Sequence, residues 1–140
     1  MTVPMVLLPV FIQIFLTFAI LGVLGRARFG EAAKGEIKMG EIAVDETAWS
    51  PDVRKISNSF KNQFEMPVLF YVLVALNILT HTTNVFFVAM EWVFVLSRVA
   101  HAYIHCTSNY IPHRFRAYGV GLFTLAAMWI IYAVRVLAGF

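Results

Sequence analysis

The apolar positions of this chain gather into four long runs separated by short polar stretches. The first is MVLLPVFIQIFLTFAILGVLG, Met5 to Gly25. The second reaches from about Met66 to Leu79 and is extended upstream by the more polar SPDVRKISNSFKNQFE. The third covers Val85 to about Cys106, and the fourth about Phe115 to Phe140. About 20 apolar residues cross a bilayer as a helix. The pattern therefore predicts four membrane-spanning helices near residues 5–25, 51–80, 84–107 and 112–138. Together they make one all-α domain over residues 1–140, an integral membrane four-helix bundle. The first run follows no basic residue and exceeds the roughly 7–15-residue core of a signal peptide, so it is expected to remain as a helix of the mature protein.

Local signals set the ends. Ser50 is placed to cap the second helix, Pro51 to occupy its first position, and Asp52 to favour its positive pole. Pro67 is expected to kink that helix. THTTN forms a tight second connection, and Pro112 opens the fourth helix. The one long polar segment, Arg26 to Ser50, mixes both charge signs (Glu31, Lys34, Glu36, Lys38, Glu41, Asp45 and Glu46).

Composition agrees with the pattern. Hydrophobic residues make up 60% of the chain and charged ones 14%, well under the roughly 25% that a water-facing surface carries. The single cysteine, Cys106, excludes an intrachain disulfide. The positive balance of +3 does not point to nucleic acid, because nine of the eleven Lys and Arg cluster in or beside the first and third connections. By the positive-inside rule those connections are cytoplasmic and both termini lie on the other side.

Polar groups inside the apolar runs carry the candidate chemistry. Counted at 1.5 Å per residue from the outer helix ends, Arg98 lies about 21 Å down, His101 about 25 Å and His105 about 31 Å. On the same scale Glu65 lies at about 24 Å, Asn62 at about 29 Å, Tyr118 at about 30 Å, Arg26 at about 31 Å and Arg114 at about 36 Å. Four helices thus bring polar residues to one level, the cytoplasmic third of the membrane. Arg98, His101 and His105 share one helical stripe, as do Asn58, Lys61 or Asn62, and Glu65. Ionisable groups at that depth face a bundle interior or a wet cavity. A cavity lined mostly with cations suits a small anion-bearing molecule.

Simpler readings stand beside this one. Arg26, Arg28, Lys61 and Arg114 also fit as interfacial anchors. Arg98 and Glu65 fit as a structural buried pair between helices. A metal at His101 and His105 lacks an evident third ligand. Glu91, nearer the outer face, has Arg135 within reach to neutralise it.

SPDVRKISNSFKNQFEMPVLF, residues 50–70, and RVAHAYIHCTSNYIPHRFRAYG, residues 98–119, resemble the second-helix and third-to-fourth-helix signatures of the membrane-associated proteins in eicosanoid and glutathione metabolism, the MAPEG family. The Asn-x-x-Glu of Asn62 and Glu65, the RVAH of Arg98 to His101, and the Pro-x-Arg-x-x-x-Tyr of Pro112, Arg114 and Tyr118 fall in register, and Arg26 after the first apolar run matches too. The closest branch in motif is that of the microsomal prostaglandin E synthases and glutathione transferases. The resemblance implies a homotrimer whose glutathione sites lie between subunits, with Arg114 stabilising the thiolate. It further implies that Arg26, Lys61, Asn62, Glu65, Arg98, His101, His105 and Tyr118 line the tripeptide site, Arg26 and Lys61 meeting carboxylates. The expected activity is a membrane-bound glutathione transferase or peroxidase acting on lipophilic electrophiles or lipid hydroperoxides that arrive from the surrounding membrane lipids. Asn58, His105 and Phe115 depart from the family's arginine, tyrosine and serine, which keeps a non-catalytic scaffold binding lipid or glutathione as the alternative. A small transporter or channel is a third reading, against which stands the confinement of polar groups to one end of the bundle.

Overall fold

In the computed structural model, which describes residues 1–35 and 37–139 apart from the Met39 side chain, all four apolar runs are helical. Glu36 and Phe140 lie outside the described residues. Helix α1 spans Val3–Ala33, two turns beyond the apolar run, so Arg26 and Arg28 lie within it. The first connection contains a short helix α2, Met39–Ile42, and a single 3-10 turn, Glu46–Ala48. Then come α3, Pro51–Asn62, and α4, Met66–Leu79. Helix α5 spans Val85–Cys106 and α6 spans Ile111–Ala138. By length and composition α1, α3 with α4, α5 and α6 are each able to cross a membrane.

The caps follow the sequence. The Ser50 hydroxyl accepts from the Val53 amide at 3.4 Å, while Ser50 in turn donates from N and Oγ to the Glu31 carboxylate at 2.9 and 3.1 Å. Asn84 Oδ1 accepts from the Phe87 amide at 2.8 Å to open α5. Two hydrogen bonds thus tie the N-terminus of α3 to α1 through Glu31.

The second membrane-spanning stretch is broken where one kinked helix was expected. Pro67 has no N–H to offer the Gln63 carbonyl, and its ring collides with that position in a continuous helix. The chain therefore tightens one turn upstream. Gln63, Phe64 and Glu65 bond back three residues to Phe60, Lys61 and Asn62 at 3.0, 3.0 and 3.3 Å, and Glu65 takes φ −98°, ψ −105°. Pro67 then opens α4. Backbone polar groups at a break inside a bilayer need internal partners. Gln63 serves this need from both ends: its Nε2 donates to the Ser59 carbonyl at 3.1 Å and its Oε1 accepts from Gln13 of α1 at 2.9 Å.

Two apolar clusters hold the bundle. One joins α4, α5 and α6 around Phe70, Leu73, Phe94, Leu125 and Met128, with Phe70 and Phe94 stacked at 4.7 Å between centroids. The other joins α1, Trp49, α3 and α5 through Ile20, Leu24, Val53, Ile56 and Ala102. Helix α5 packs most extensively against α6, and Gly121 marks their close approach. Glu91 is fully buried, and neither carboxylate oxygen has a partner among the described residues. Arg135 does not reach it; its Nη1 donates to the Thr82 carbonyl at 3.0 Å.

Candidate functional site

Three helices meet around a cavity of about 410 Å³ at the α3–α5–α6 junction. That volume falls within the roughly 300–1,000 Å³ of small-molecule sites. Asn58 and Asn62 come from the last turns of α3, His101 and His105 from the last turns of α5, and Ile111, Arg114, Phe115 and Tyr118 from the first turns of α6. Each set recurs at helical spacings of three or four, which stacks its members on one face.

The histidines form one wall. Their rings sit edge to face at 5.5 Å between centroids, and Tyr118 lies 5.7 Å from His101. Both Nδ1 atoms are buried without a partner among the described residues, which leaves unsatisfied polar atoms within the wall itself. Arg114 brings the cation. It is half-buried, and its Nη1 donates to Asn109 Oδ1 at 2.8 Å. Asn109 adopts φ +51°, a left-handed conformation that Asn tolerates better than most residues. The α5–α6 turn thus orients the arginine. On the opposite edge Phe115 is 73% exposed, so one border of a polar cavity is apolar and open to the surroundings of the bundle.

Five of the nine residues singled out from the sequence therefore share this cavity: Asn62, His101, His105, Arg114 and Tyr118. The other four stand elsewhere. Arg26 opens onto a separate hollow with Gly30, Glu31, Lys34 and the start of α3. Lys61 pairs with Glu46. Glu65 is exposed, with no ion pair to Arg98 among the described residues. Arg98 is 0% exposed and bonds the Asn62 carbonyl from Nη2 at 3.4 Å, behind the cavity wall. Asn58 and Phe115, marked in the sequence only as departures, are lining residues, and so is Ile111, which no sequence signal distinguishes from the apolar background. No group of three or more His, Cys, Asp or Glu able to hold a metal occurs among the described residues.

The MAPEG family model matches residues 6–134, nearly the whole chain. This protein belongs to the MAPEG family. No curated protein and no solved structure matches it. It is an integral multi-pass membrane protein, and its MAPEG membership points to a glutathione-related or eicosanoid-related function in the membrane.

In this MAPEG chain the carboxylate of Glu46 docks the middle of the first connection. Glu46 accepts from Arg28 of α1 at 3.3 Å, from Ser57 of α3 at 3.0 Å, and from Lys61. Trp49 lies 5.4 Å below the Arg28 guanidinium and is buried against α1 and α3. The hydrogen bond from Lys61 does most to hold Glu46 below the ordinary carboxylate value of 4.5; partial burial opposes it, and Ser57 and Arg28 add to the lowering. A depressed folded-state value means the tether acts in full above pH 4.5 and fades as pH falls through the lower folded value. With Trp92 and Trp129 replaced by phenylalanine, Trp49 fluorescence should report undocking on acidification below pH 4.5. In Glu46→Gln the same signal should already be undocked-like at neutral pH and insensitive to acid over that range.

Proposed function

We propose that the chain is a membrane-bound glutathione transferase of the MAPEG type, with the α3–α5–α6 cavity as the glutathione site and a lipophilic electrophile or hydroperoxide as second substrate. The observation that carries this reading is the placement of Arg114 with His101, His105 and Tyr118 in one cavity with an apolar, open border. Glutathione supplies the sulfur nucleophile, a thiol with a free pKa of about 8.5 and therefore only a few per cent ionised at neutral pH. Arg114 raises the ionised fraction as a fixed positive charge, since a guanidinium neither gives up its proton nor acts as a base. His101, His105, Asn62 and Tyr118 offer donors and acceptors to the peptide backbone and carboxylates. Ile111 and Phe115 form the side on which an apolar electrophile enters from lipid.

The remaining family features belong to the same proposal. The assembly is a homotrimer, and Arg26, which does not face its own chain's cavity, serves a neighbouring protomer there. The branch is that of the prostaglandin E synthases and microsomal glutathione transferases. The basic connections are cytoplasmic. Lys61 becomes available to a ligand carboxylate only by exchange with Glu46.

A thermal-shift titration of the purified protein with glutathione tests the site. Binding stabilises the folded state by about 2.7 kcal/mol at a hundredfold excess over Kd, so the midpoint should climb with the logarithm of glutathione concentration. A flat titration would sink the glutathione reading. Binding without turnover on aryl halides or fatty hydroperoxides would favour the non-catalytic scaffold, for which the departures at Asn58, His105 and Phe115 speak.

A further inference from the structure

Arg98 is permanently charged and fully buried, yet it does not line the cavity. No carboxylate lies within 4 Å of it among the described residues. Its Nε and Nη1 have no acceptor there, so its side-chain bonding among the described residues goes to one atom, the Asn62 carbonyl oxygen.

That oxygen ends α3. The break before Pro67 deprives the last turn of α3 of its continuing amide donors, and the Asn62 carbonyl keeps only the tight-turn bond from the Glu65 amide at 3.3 Å. Terminal carbonyls carry the partial negative charge of the helix dipole, which a cation complements. At 3.4 Å the Arg98 contact is at the long end of hydrogen bonding, so charge against the helix terminus supplies most of the attraction. The methylene stem of the side chain also faces α6. On α6, Gly121 comes so near that an added Cβ would stand 3.7 Å from Arg98 Cδ. The side chain runs between α6 and the end of α3.

We propose that Arg98 is a positioning residue: it clamps the broken end of α3 to α5 and so sets Asn62, and Asn58 one turn above it, in the cavity wall. The residue acts through Asn62 and touches no ligand. The inference rests on the proposed glutathione site only for its binding readout; its structural readout is independent of that site.

Hydrogen–deuterium exchange on the full chain in lipid nanodiscs gives the structural arm. In Arg98→Met the amides of residues 63–66 should exchange about tenfold faster, the loss expected when a charged hydrogen bond is removed, while mid-helix amides of α5 and α6 keep wild-type protection. Arg98→Lys, which keeps the charge, should fall between the two. Unchanged exchange at 63–66 in folded Arg98→Met overturns the proposal. If that variant does not fold, Arg98→Lys decides by the same criterion.

The second arm measures glutathione affinity in a double-mutant cycle. Arg98→Met and Asn62→Ala should each weaken binding about tenfold, and the pair together no more than the worse single change, because both disable one element. A product of the two effects, about a hundredfold, means that Arg98 meets the ligand itself and overturns the positioning role. If the wild-type protein binds no glutathione, the proposed function falls and the exchange arm alone decides this one.

Discussion

Replacing Arg114 with alanine is expected to lower glutathione-dependent turnover by about 10²–10³-fold, the scale seen when one preorganised charge-stabilising group is removed from an active site. The direction follows from the thiol: without the guanidinium its ionisation returns toward a value of about 8.5. The deficit should therefore shrink as pH rises past 9, where the free thiol ionises unaided. Arg114→Lys keeps the charge but loses the planar fork that bonds Asn109, and is expected to recover part of the rate. Thermal stability should change little, since Arg114 is half-buried and its side-chain bond among the described residues is to a turn residue. The check is a pH–rate profile for the three proteins with a generic aryl halide. Wild-type turnover in Arg114→Ala at neutral pH would remove Arg114 from the chemistry.

The largest stability effect is expected at Gly121. Between membrane helices there is little hydrophobic driving force, so packing depends on small residues that let backbones approach. A Cβ at Gly121 would stand 2.7 Å from Ser97 Oγ and 3.8 Å from Phe94. The hydroxyl has little freedom to retreat, because it donates to the Phe94 carbonyl at 2.6 Å. Gly121→Ala should destabilise the protein by about 1–3 kcal/mol, the usual cost of overpacking. It should also weaken glutathione binding, because moving α6 outward carries Arg114 and Tyr118 away from His101. Removing the obstructing atom with Ser97→Ala should restore most of the lost stability in the double variant. Thermal unfolding of the four proteins closes the cycle. Equal losses with and without Ser97 Oγ would show that the contact is not what limits the approach.

Much of the fold was legible from the chain because bilayer thickness and helical rise leave little choice for apolar runs of this length. The cap at Ser50 and the openings at Pro51 and Pro112 could be read from residue type alone. The outcome at Pro67 could not. A proline inside a helical pattern can kink or break it, and here Gln13, Gln63 and Arg98 supply partners to the broken end. Gln13 and Arg98 come from two other helices, so no local signal announces them.

The candidate site divides in the same way. Depth and helical stripe were enough to gather Asn62, His101, His105, Arg114 and Tyr118, because distance along a straight helix is proportional to residue count. They were not enough for the other cations. Lys61 fits the stripe of Asn58 and Glu65 as well as Asn62 does, yet it meets Glu46 from a connection whose path no periodicity describes. Arg98 shares the stripe of the histidines yet turns to a backbone carbonyl instead of the cavity. Glu91 lies a few residues from a plausible partner in projection, but Arg135 reaches Thr82 first.

By itself, then, the order of residues determined the membrane-spanning stretches, their number and the level at which polar groups collect, since each depends only on the chemistry of one segment against lipid. Which of those groups share a cavity, and which are consumed by neighbours, was decided by the tertiary structure. Partnership depends on the rotation and closeness of helices far apart in the chain, and those are set by contacts such as Gly121 against Ser97, which leave no periodic trace in either segment.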